Sequence, residues 1–324
     1  MTASGAGERS RAATRRVVVA SGTIALLALL AACAPAAPAT TPFAGRSLYR
    51  SPDSSAATAA GTAADPAERD AAAQLAARPT AVWLVPERLP AGEVGPAVDA
   101  VLDDAAADAA LPVLVVYGIP DRDCGGQSSG GLPRAPYLAW VDEIAAAIGE
   151  RPAVVILEPD ALALAEACPD AAARPTLVRD AAARLPGTAT IYLDGGHSAW
   201  LPAERMAELL RAAGVERVRG FATNVSNTRT TSEERDYARR VAAALGGGHA
   251  VIDVSRNGSG PPADASWCNV PGRTVGEDPG PIDDEVVDAV LWIKPPGESD
   301  GTCNGGPPAG QWWPEAAIAL TGGG

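Results

Sequence analysis

The stretch Ala153-Val-Val-Ile-Leu157-Glu158-Pro159-Asp160 is an uninterrupted apolar run that ends abruptly in two acidic residues. Five consecutive apolar residues are typical of a strand that is buried on both faces. Strands of this kind belong to parallel sheets, because crossover helices cover both faces of the sheet. The stretch therefore predicts a parallel α/β fold, and it places two carboxyl groups at the end of a strand.

Further apolar runs repeat this pattern, and segments with helix-forming residues at helical spacing separate them. The predicted strands are 81–85, 112–117, 153–157, 190–193, 219–224, 250–254 and 289–293. The predicted helical segments are 92–110, 136–148, 176–184, 202–213 and 233–245. We expect a single-domain, distorted seven-stranded parallel β/α barrel, with an open doubly wound sheet as the alternative. In both folds the active site forms at the carboxyl ends of the strands.

The composition fits one large globular domain. Hydrophobic residues make up 47% of the 324 residues, which excludes general disorder. The net charge of −13 argues against a nucleic-acid partner, because phosphate binding needs clustered Lys and Arg. The basic residues are nearly all arginine, and Lys294 is the only lysine. A single lysine in such a chain indicates a specific role for its ammonium group.

The first 33 residues have the features of an export signal. Four arginines precede the apolar run 17–30, which is too short to span a bilayer, and Leu30-Ala-Ala-Cys33 ends it. This motif resembles the bacterial lipobox. We expect 1–33 to be a lipoprotein-type signal peptide with Cys33 lipidated, which exports the protein to the outer side of the cell membrane. Ordinary cleavage nearby, giving a secreted protein, is the alternative. Residues 34–41 are Ala/Pro/Thr-rich and are predicted to tether a domain at 42–324.

The cysteine count supports lipidation of Cys33. Without it, Cys124, Cys168, Cys268 and Cys303 remain, and an even number in an exported protein predicts two disulfides. The chain has only two histidines and no Cys-x-x-Cys motif, so a structural zinc site is not expected. We expect neither a metal nor another cofactor.

Carboxylates follow four of the seven predicted strands. They lie in the segments 117–131, 158–160, 194–200 and 294–303. A single acidic residue after a strand is often a helix N-cap, but this set gathers at the sheet edge where active sites form. Glycoside hydrolysis needs such a set, because one carboxyl protonates the leaving oxygen and another directs water onto the anomeric carbon. Crowding also raises the pKa of at least one of them.

All seven tryptophans of the chain lie in the predicted mature domain, although aromatic residues total only 4%. Trp83 and Trp200 lie in or just beyond strands, and Trp267 lies in a polar loop. Trp292 lies within a strand, which indicates core packing. Flat indole faces stack well on pyranose rings, so the other three tryptophans are candidates for sugar binding.

Taken in order, the segments after the strands resemble those of glycoside hydrolase family 6, which contains endoglucanases and cellobiohydrolases with a distorted seven-stranded barrel. The similarity runs from Pro42-Phe-Ala-Gly45 to Gln311-Trp-Trp-Pro-Glu315. Glu158-Pro-Asp160 alone has little specificity. The ordered series of six motifs, with a cysteine after Arg122-Asp123 and Trp-Cys-Asn at 267–269, is highly specific. The resemblance implies hydrolysis of β-1,4-glucosidic bonds with inversion.

The resemblance also implies residue roles. Asp160 matches the general acid, Asp123 the aspartate that tunes this acid, and Asp300 a substrate-binding carboxylate proposed as the base. Tyr117 matches the tyrosine that helps distort the sugar, and Ser129 a loop serine that holds the attacking water. The other implied substrate-binding residues are Trp83, Asp194, His197, Trp200, Asn224, Arg256, Trp267, Lys294 and Glu298. The implied disulfides are Cys124–Cys168 and Cys268–Cys303.

Short segments follow the second and seventh strands, without the long insertions that roof the tunnel of the family's cellobiohydrolases. We therefore expect an open cleft and an endo-acting, monomeric enzyme. A cellobiohydrolase is one alternative. The other is a lipid-anchored glucan-binding protein without activity, although Asp123, Asp160 and Asp300 are all present. The expected partners are a β-1,4-glucan or cello-oligosaccharide and, through the lipid, the membrane.

Overall fold

The computed structural model describes residues 41–168 and 171–322, and each predicted apolar run contains a strand. All five residues of the 153–157 run are buried, as a strand covered on both faces requires. The strands are β1 (Ser47–Leu48), β2 (Val82–Leu84), β3 (Ala110–Leu111), β4 (Val113–Val116), β5 (Ala153–Leu157), β6 (Ala189–Asp194), β7 (Gly220–Thr223), β8 (His249–Asp253), β9 (Gly280–Pro281) and β10 (Val287–Leu291).

Helices separate most of these strands. The α-helices are α1 (Ser55–Thr62), α2 (Pro66–Ala76), α3 (Val94–Ala107), α4 (Arg134–Ile148), α5 (Arg174–Ala182), α6 (Ala203–Ala212), α7 (Thr231–Leu245) and α8 (Pro314–Leu320). The five predicted helical segments correspond to α3 through α7, with ends shifted by a few residues. Such shifts are usual, because helix ends are set by capping contacts that the apolar period does not show.

The main sheet follows chain order. Strands β2, β4, β5, β6, β7, β8 and β10 are neighbours in that sequence, and each of these pairs is parallel. The short β9 adds an antiparallel edge to β10, and β1 pairs with β3 in a separate ladder. A doubly wound sheet reverses its strand order at a switch point, and this sheet has none. The predicted α/β fold with a curled, mostly parallel sheet is confirmed, and the open doubly wound alternative is wrong.

The sheet curls until its first and last parallel strands approach each other. At this seam the backbone N–H of Ala81 donates to the Trp292 carbonyl at 2.9 Å. The indole Nε1 of Trp83 donates to the Ile293 carbonyl at 2.7 Å. In the described chain, β2 and β10 form no ladder with each other. The barrel is therefore distorted and incomplete on this side.

Alternate strand residues pack on opposite faces of the sheet. In β5, Val154 and Ile156 belong to a buried cluster that contains no helix residue, so this cluster is the barrel interior. Val155 packs in the other cluster, between the sheet and the helices. Phe43 stacks on Tyr192 in the interior with ring centroids 6.5 Å apart. Because the interior is filled, a substrate can reach the barrel only at its ends.

Both disulfides implied by the family resemblance are present. Cys124 pairs with Cys168 (Cα–Cα 5.4 Å), and Cys268 pairs with Cys303 (Cα–Cα 6.2 Å). Each bond fixes a loop at the carboxyl end of the sheet, which reduces the freedom of that loop.

The predicted signal peptide at 1–33, with Cys33, lies outside the described residues, as does all of the predicted tether except Thr41. Within the described ranges, no helix has the length and apolar character needed to cross a membrane. The chain from residue 41 onward belongs to a single compact unit.

Candidate active site

The segment that follows β5 sends its two carboxyl groups in different directions. Glu158 and Asp160 both have positive φ angles, 51° and 67°, which non-glycine residues seldom adopt. The Glu158 carboxylate accepts hydrogen bonds from the backbone N–H groups of Gly118 (3.0 Å) and Ile119 (3.1 Å). Burial raises the pKa of Glu158 to about 7 in spite of these bonds. Glu158 thus supports the loop after β4, and Asp160 is left to face the cleft.

A cleft of about 450 Å³ lies at the carboxyl ends of the strands, within the range of ligand sites in proteins. Its walls come from β2 and from the segments after β4, β5, β6, β7, β8 and β10. The predicted site residues that line it are Trp83, Tyr117, Asp123, Asp160, His197, Trp200, Trp267, Lys294 and Asp300. In the part of the chain that the structure describes, no three His, Cys, Asp or Glu side chains are grouped to hold a metal ion.

Asp160 occupies a strongly acidic part of this cleft. Burial raises its pKa well above the ordinary value, and the charges of Asp194, Asp123 and Asp300 raise it further. The backbone N–H of Asp160 donates to Asp194 Oδ2 at 2.9 Å, which fixes the turn that carries the carboxyl group. With its pKa raised in this way, Asp160 keeps its proton to a higher pH than an ordinary aspartate does. A protonated carboxyl in a cleft can act as a general acid.

Asp123 is held by the loop after β4. Its Oδ2 accepts hydrogen bonds from the backbone N–H of Ser128 (2.8 Å) and from the Ser128 hydroxyl (3.0 Å). The same hydroxyl lies 2.9 Å from the hydroxyl of Tyr117. Ser129, the serine that the sequence singles out, is exposed and does not line the cleft. The hydroxyl that contacts Asp123 therefore belongs to the preceding residue.

Asp300 has the opposite electrostatic environment. Burial alone would raise its pKa, but the positive charges of Arg256 and Lys294 hold it below the ordinary value. Its Oδ2 accepts hydrogen bonds from Arg256 Nη1 and from the backbone N–H of Asn269, both at 2.9 Å. Asp300 is thus ionised at a pH where Asp160 is protonated. Carboxyl groups whose pKa values are pushed apart are typical of sites that need an acid and a charged partner.

Lys294 is buried next to Asp300. Its Nζ donates to the Ser299 carbonyl at 3.1 Å and lies 5.9 Å from the centroid of the Trp83 ring. Burial lowers the pKa of Lys294, and the charges of Asp300 and Glu298 oppose that effect. A compact ammonium group fits this position between a carboxylate and an indole, whereas a guanidinium group is larger and planar.

Three tryptophans border the cleft. Trp83 contacts Tyr117 edge to face with ring centroids 5.2 Å apart, and Trp200 lies 5.3 Å from His197. Trp267 is 53% exposed, unlike every other large apolar side chain in the described ranges. An indole that packs so little of its surface is suited to stack on a sugar ring. Burial lowers the pKa of the His197 imidazole to about 4, and the positive charge of Arg229, which also lines the cleft, adds to this shift.

Two predicted substrate-binding residues lie beneath the cleft. Asp194 is buried, and its Oδ2 accepts hydrogen bonds from the backbone N–H groups of Asp160 and Gly196 (3.0 Å). Asn224 is also buried, and its Nδ2 donates to the Asp253 carbonyl at 2.8 Å. Both side chains contact protein groups that shape the turns after β6 and β7.

Two more predicted binding residues lie to one side of the cleft. The guanidinium group of Arg256 donates hydrogen bonds to the Asp300 carboxylate and to the Ser226 carbonyl. Glu298 Oε1 accepts a hydrogen bond from the Ser55 hydroxyl at 2.8 Å. Both residues line a smaller cavity of about 210 Å³ that shares Trp267 with the cleft. The structure therefore brings them near the site without placing them on its main wall.

Asp253 is a structural carboxylate that the sequence does not single out. It accepts hydrogen bonds from the backbone N–H groups of Ser226 (3.0 Å), Ser255 (2.9 Å) and Lys294 (3.0 Å). These bonds join the segments after β7, β8 and β10. The sequence feature that could have identified Asp253 is its position at the end of a predicted strand. The other supporting residues that the sequence analysis did not select are Ser128, Glu158, Glu234 and Asn269.

Several curated proteins are similar in sequence to this chain. Endoglucanase A of Cellulomonas fimi is 45% identical over 201 residues, which cover 61% of this chain and 44% of that protein. The chain thus matches less than half the length of this relative. The matched region supports a common catalytic domain and leaves the rest of the relative without a counterpart in the alignment.

Solved structures share the fold over most of the chain. The endoglucanase Cel6 from Mycobacterium tuberculosis, in complex with methyl-cellobiosyl-4-deoxy-4-thio-β-D-cellobioside, is 43% identical with a TM-score of 0.83, covering 87% of this chain and 99% of that one. The catalytic core domain of the cellobiohydrolase Cel6A from Chaetomium thermophilum is 27% identical with a TM-score of 0.77, covering 87% and 98%. The family resemblance seen in the sequence is confirmed. Residues 43–322 match the profile of the glycosyl hydrolases family 6, and the chain belongs to that family.

Proposed function

We propose that this chain is an inverting glycoside hydrolase that cleaves internal β-1,4-glucosidic bonds of cellulose-type glucans. The observation that carries the proposal is the pair of carboxyl groups in one cleft with pKa values shifted in opposite directions, up at Asp160 and down at Asp300. Membership of the family and the similarity to two endoglucanases support the substrate class.

In the proposed reaction, Asp160 protonates the glycosidic oxygen as its bond to the anomeric carbon breaks. A water molecule attacks that carbon from the opposite face of the ring, and its proton leaves to a basic group. The product therefore has the α-configuration at the new reducing end. Trp83, Trp200 and Trp267 would hold the neighbouring sugar rings by stacking.

Two carboxylates are available to receive the proton from water. Asp300 is our predicted base, but Arg256 and Asn269 already occupy one of its oxygens and its low pKa makes it a weak proton acceptor. Asp123 shares the Ser128 hydroxyl with Tyr117, which supports a relay from the water through that hydroxyl. We propose that Asp123 supports proton removal and that Asp300 binds and stabilises the substrate.

Proton NMR of a fresh digest of a soluble cello-oligosaccharide tests inversion. We expect the signal of the α-anomer first, with the β-anomer growing in as the product mutarotates. A spectrum in which the β-anomer comes first would show retention and overturn the proposed mechanism.

Endo action is supported by the similarity to the endoglucanases of Cellulomonas fimi and Mycobacterium tuberculosis. The similarity to a cellobiohydrolase structure keeps exo action as the second candidate. Viscosity loss of carboxymethylcellulose, plotted against the reducing ends formed, separates the two. Endo cleavage lowers the viscosity steeply for few new ends, and exo cleavage does not. Oligosaccharide binding without any turnover would favour the non-catalytic glucan-binding protein.

We also propose that 1–33 is a lipoprotein signal peptide, that Cys33 carries the lipid, and that 34–41 tethers a monomeric catalytic domain at 42–324 to the outer side of the membrane. The Leu30-Ala-Ala-Cys33 motif supports this. Fractionation should find the native protein with the membrane and a Cys33→Ser variant away from it. Equal release of both proteins would contradict lipidation, and light scattering of the purified domain tests the monomer.

A further inference from the structure

A buried polar cluster lies behind the cleft, between the ends of β6 and β7 and the start of α7. We call it the Glu234 cluster, and each of its five members buries a side-chain oxygen. The Ser198 and Thr223 hydroxyls lie close enough to the Glu234 carboxyl to lower its pKa by hydrogen bonding, and the Glu234 charge raises the pKa of both Asp194 and Tyr237. Buried polar groups need partners, so a set of polar side chains gathered around one buried carboxyl needs an explanation. The members are Asp194, Ser198, Thr223, Glu234 and Tyr237.

Glu234 connects this cluster to the cleft wall. It lies in the first turn of α7 with no exposed surface, and its Oε1 accepts a hydrogen bond from the backbone N–H of Ser198 at 2.9 Å. Ser198 stands between His197 and Trp200, and both of these side chains line the cleft. The Glu234 carboxyl therefore ties the 197–200 segment to a helix.

The same carboxyl acts on Asp194. Burial raises the pKa of Asp194 to about 7, and the charges of Glu234 and Asp253 contribute to the rise. Asp194 in turn holds the backbone N–H of Asp160, and its charge raises the pKa of Asp160. Glu234 is not among the charges that raise the pKa of Asp160. Its influence on Asp160 is thus indirect and passes through Asp194.

We propose that Glu234 is a positioning residue for the acid at Asp160, acting from behind the cleft through the Asp194 carboxyl and through the segment that carries His197 and Trp200. The inference rests on the proposed role of Asp160. It assigns two separable tasks to one side chain. The hydrogen bond to Ser198 orients a wall of the cleft, and the negative charge tunes Asp194.

The charged and titratable groups around Glu234 determine the direction in which loss of its charge shifts the pKa values of Asp194 and Asp160. Arg229 faces it from the loop before α7, Tyr237 from the next turn of α7, and Asp194 from the end of β6. Beyond these lie Asp253, whose charge acts on Asp194, and Glu204 and Arg240, whose opposite charges both act on Tyr237.

Removal of the Glu234 charge lets Asp194 ionise at lower pH. A fully charged Asp194 at neutral pH then makes Asp160 hold its proton more tightly. The alkaline limb of the kcat/KM profile, where a general acid is lost, should therefore move to higher pH.

Two neutral variants separate the two tasks. In Glu234→Gln the amide oxygen can still accept the Ser198 N–H, and in Glu234→Met it cannot. We expect both variants to shift the alkaline limb upward by about 0.5–1 pH unit on a soluble cello-oligosaccharide. Only Glu234→Met should also raise KM, by about 5-fold, because it alone releases the 197–200 segment. If one variant does not fold, the other still tests the charge effect.

Glu208→Gln is the matched control. It makes the same chemical change at an exposed carboxyl of α6 that pairs with Arg205 and does not line the cleft. Its pH profile should superimpose on that of the native enzyme even if its melting temperature falls.

The outcomes are distinct. A native alkaline limb in both Glu234 variants, with only stability or total activity reduced, would overturn the inference and leave the proposed function intact. A native enzyme without any glucanase activity would instead overturn the proposed function. An upward shift in Glu234→Gln that disappears in the Asp194→Asn background would support the route through Asp194.

Discussion

The two sides of the cleft are built alike and charged differently. On one side Asp160 lies near Asp123, whose neighbour Cys124 is bonded to Cys168. On the other side Asp300 lies three residues before Cys303, which is bonded to Cys268. Burial pushes the pKa of both carboxyl groups upward. The charges around them then decide the outcome.

Asp160 is surrounded by carboxylates, whereas Asp300 faces Arg256 and Lys294. A buried carboxyl without a cation keeps its proton, and one with two cations loses it. Burial raises both pKa values, so the placement of the two positive charges is what separates the acid from the anion in this cleft.

The largest effect is expected at Asp160. Asp160→Asn removes the proton donor and keeps the shape of the side chain, so kcat on a cello-oligosaccharide should fall by about 10³-fold. On dinitrophenyl β-cellobioside, whose leaving group needs no proton, much of the activity should remain. Asp264→Asn, at an exposed position near the rim, is the control and should stay near the native rate. Equal losses on both substrates would assign Asp160 a role other than acid.

Loss of a disulfide should destabilise either side by a similar amount. The bonds span 44 residues for Cys124–Cys168 and 35 for Cys268–Cys303. Loops of such similar length predict losses of about 2–4 kcal/mol in the free energy of unfolding for each double Cys→Ala variant. Urea unfolding under non-reducing conditions measures both. A difference well above 1 kcal/mol between the variants would show that the two loops are not equivalent supports.

Arg256→Met tests the anionic side. Without the guanidinium group the pKa of Asp300 should rise, so Asp300 becomes protonated at a higher pH during acidification. The acidic limb of the kcat/KM profile should therefore move upward by about 1–2 pH units, while the alkaline limb set by Asp160 moves less. Arg273→Met is the matched control, because that side chain contacts only backbone carbonyls. An unmoved acidic limb would mean that the ionisation of Asp300 does not limit the reaction.

The smallest effect is expected at the rim. Trp267→Ala removes a stacking surface and little packing, so KM for longer cello-oligosaccharides should rise by about 5-fold with kcat nearly unchanged. Trp313→Ala, outside the cleft, is the control. Steady-state kinetics on a series of chain lengths measures the change, and an unchanged KM at every length would remove Trp267 from the binding surface.

The sequence predicted the fold well because its signals are local. A short continuous apolar run such as 153–157, bounded by turn residues, is typical of a central strand, and the order of such runs leaves few topologies. The post-strand carboxylates were predicted for the same reason, since parallel strands bring their carboxyl ends to one edge. The short strands β1, β3 and β9 have two residues each and leave no periodic signal.

The sequence was less informative about which side chain faces the substrate. Ser128 and Ser129 are chemically identical, and only the backbone of the loop decides which hydroxyl meets Asp123. Asp194 follows a strand as Asp160 does, yet it turns beneath the cleft. Glu234 lies on a helix of ordinary amphipathic composition, and nothing in its spacing shows that it contacts the segment after β6. Such contacts depend on tertiary packing, which neither propensity nor periodicity encodes.

Few hydrogen bonds hold the seam between β2 and β10 together. A strand ladder is stabilised by many hydrogen bonds, but here the amide N–H of Ala81 and the indole N–H of Trp83 bridge the gap. Native-state hydrogen exchange should find that the Ala81 amide exchanges faster than the amides in the ladder between β5 and β6. Trp83 and Lys294 lie beside this seam and both line the cleft, so any loosening of the seam would shift two residues of the cleft wall together.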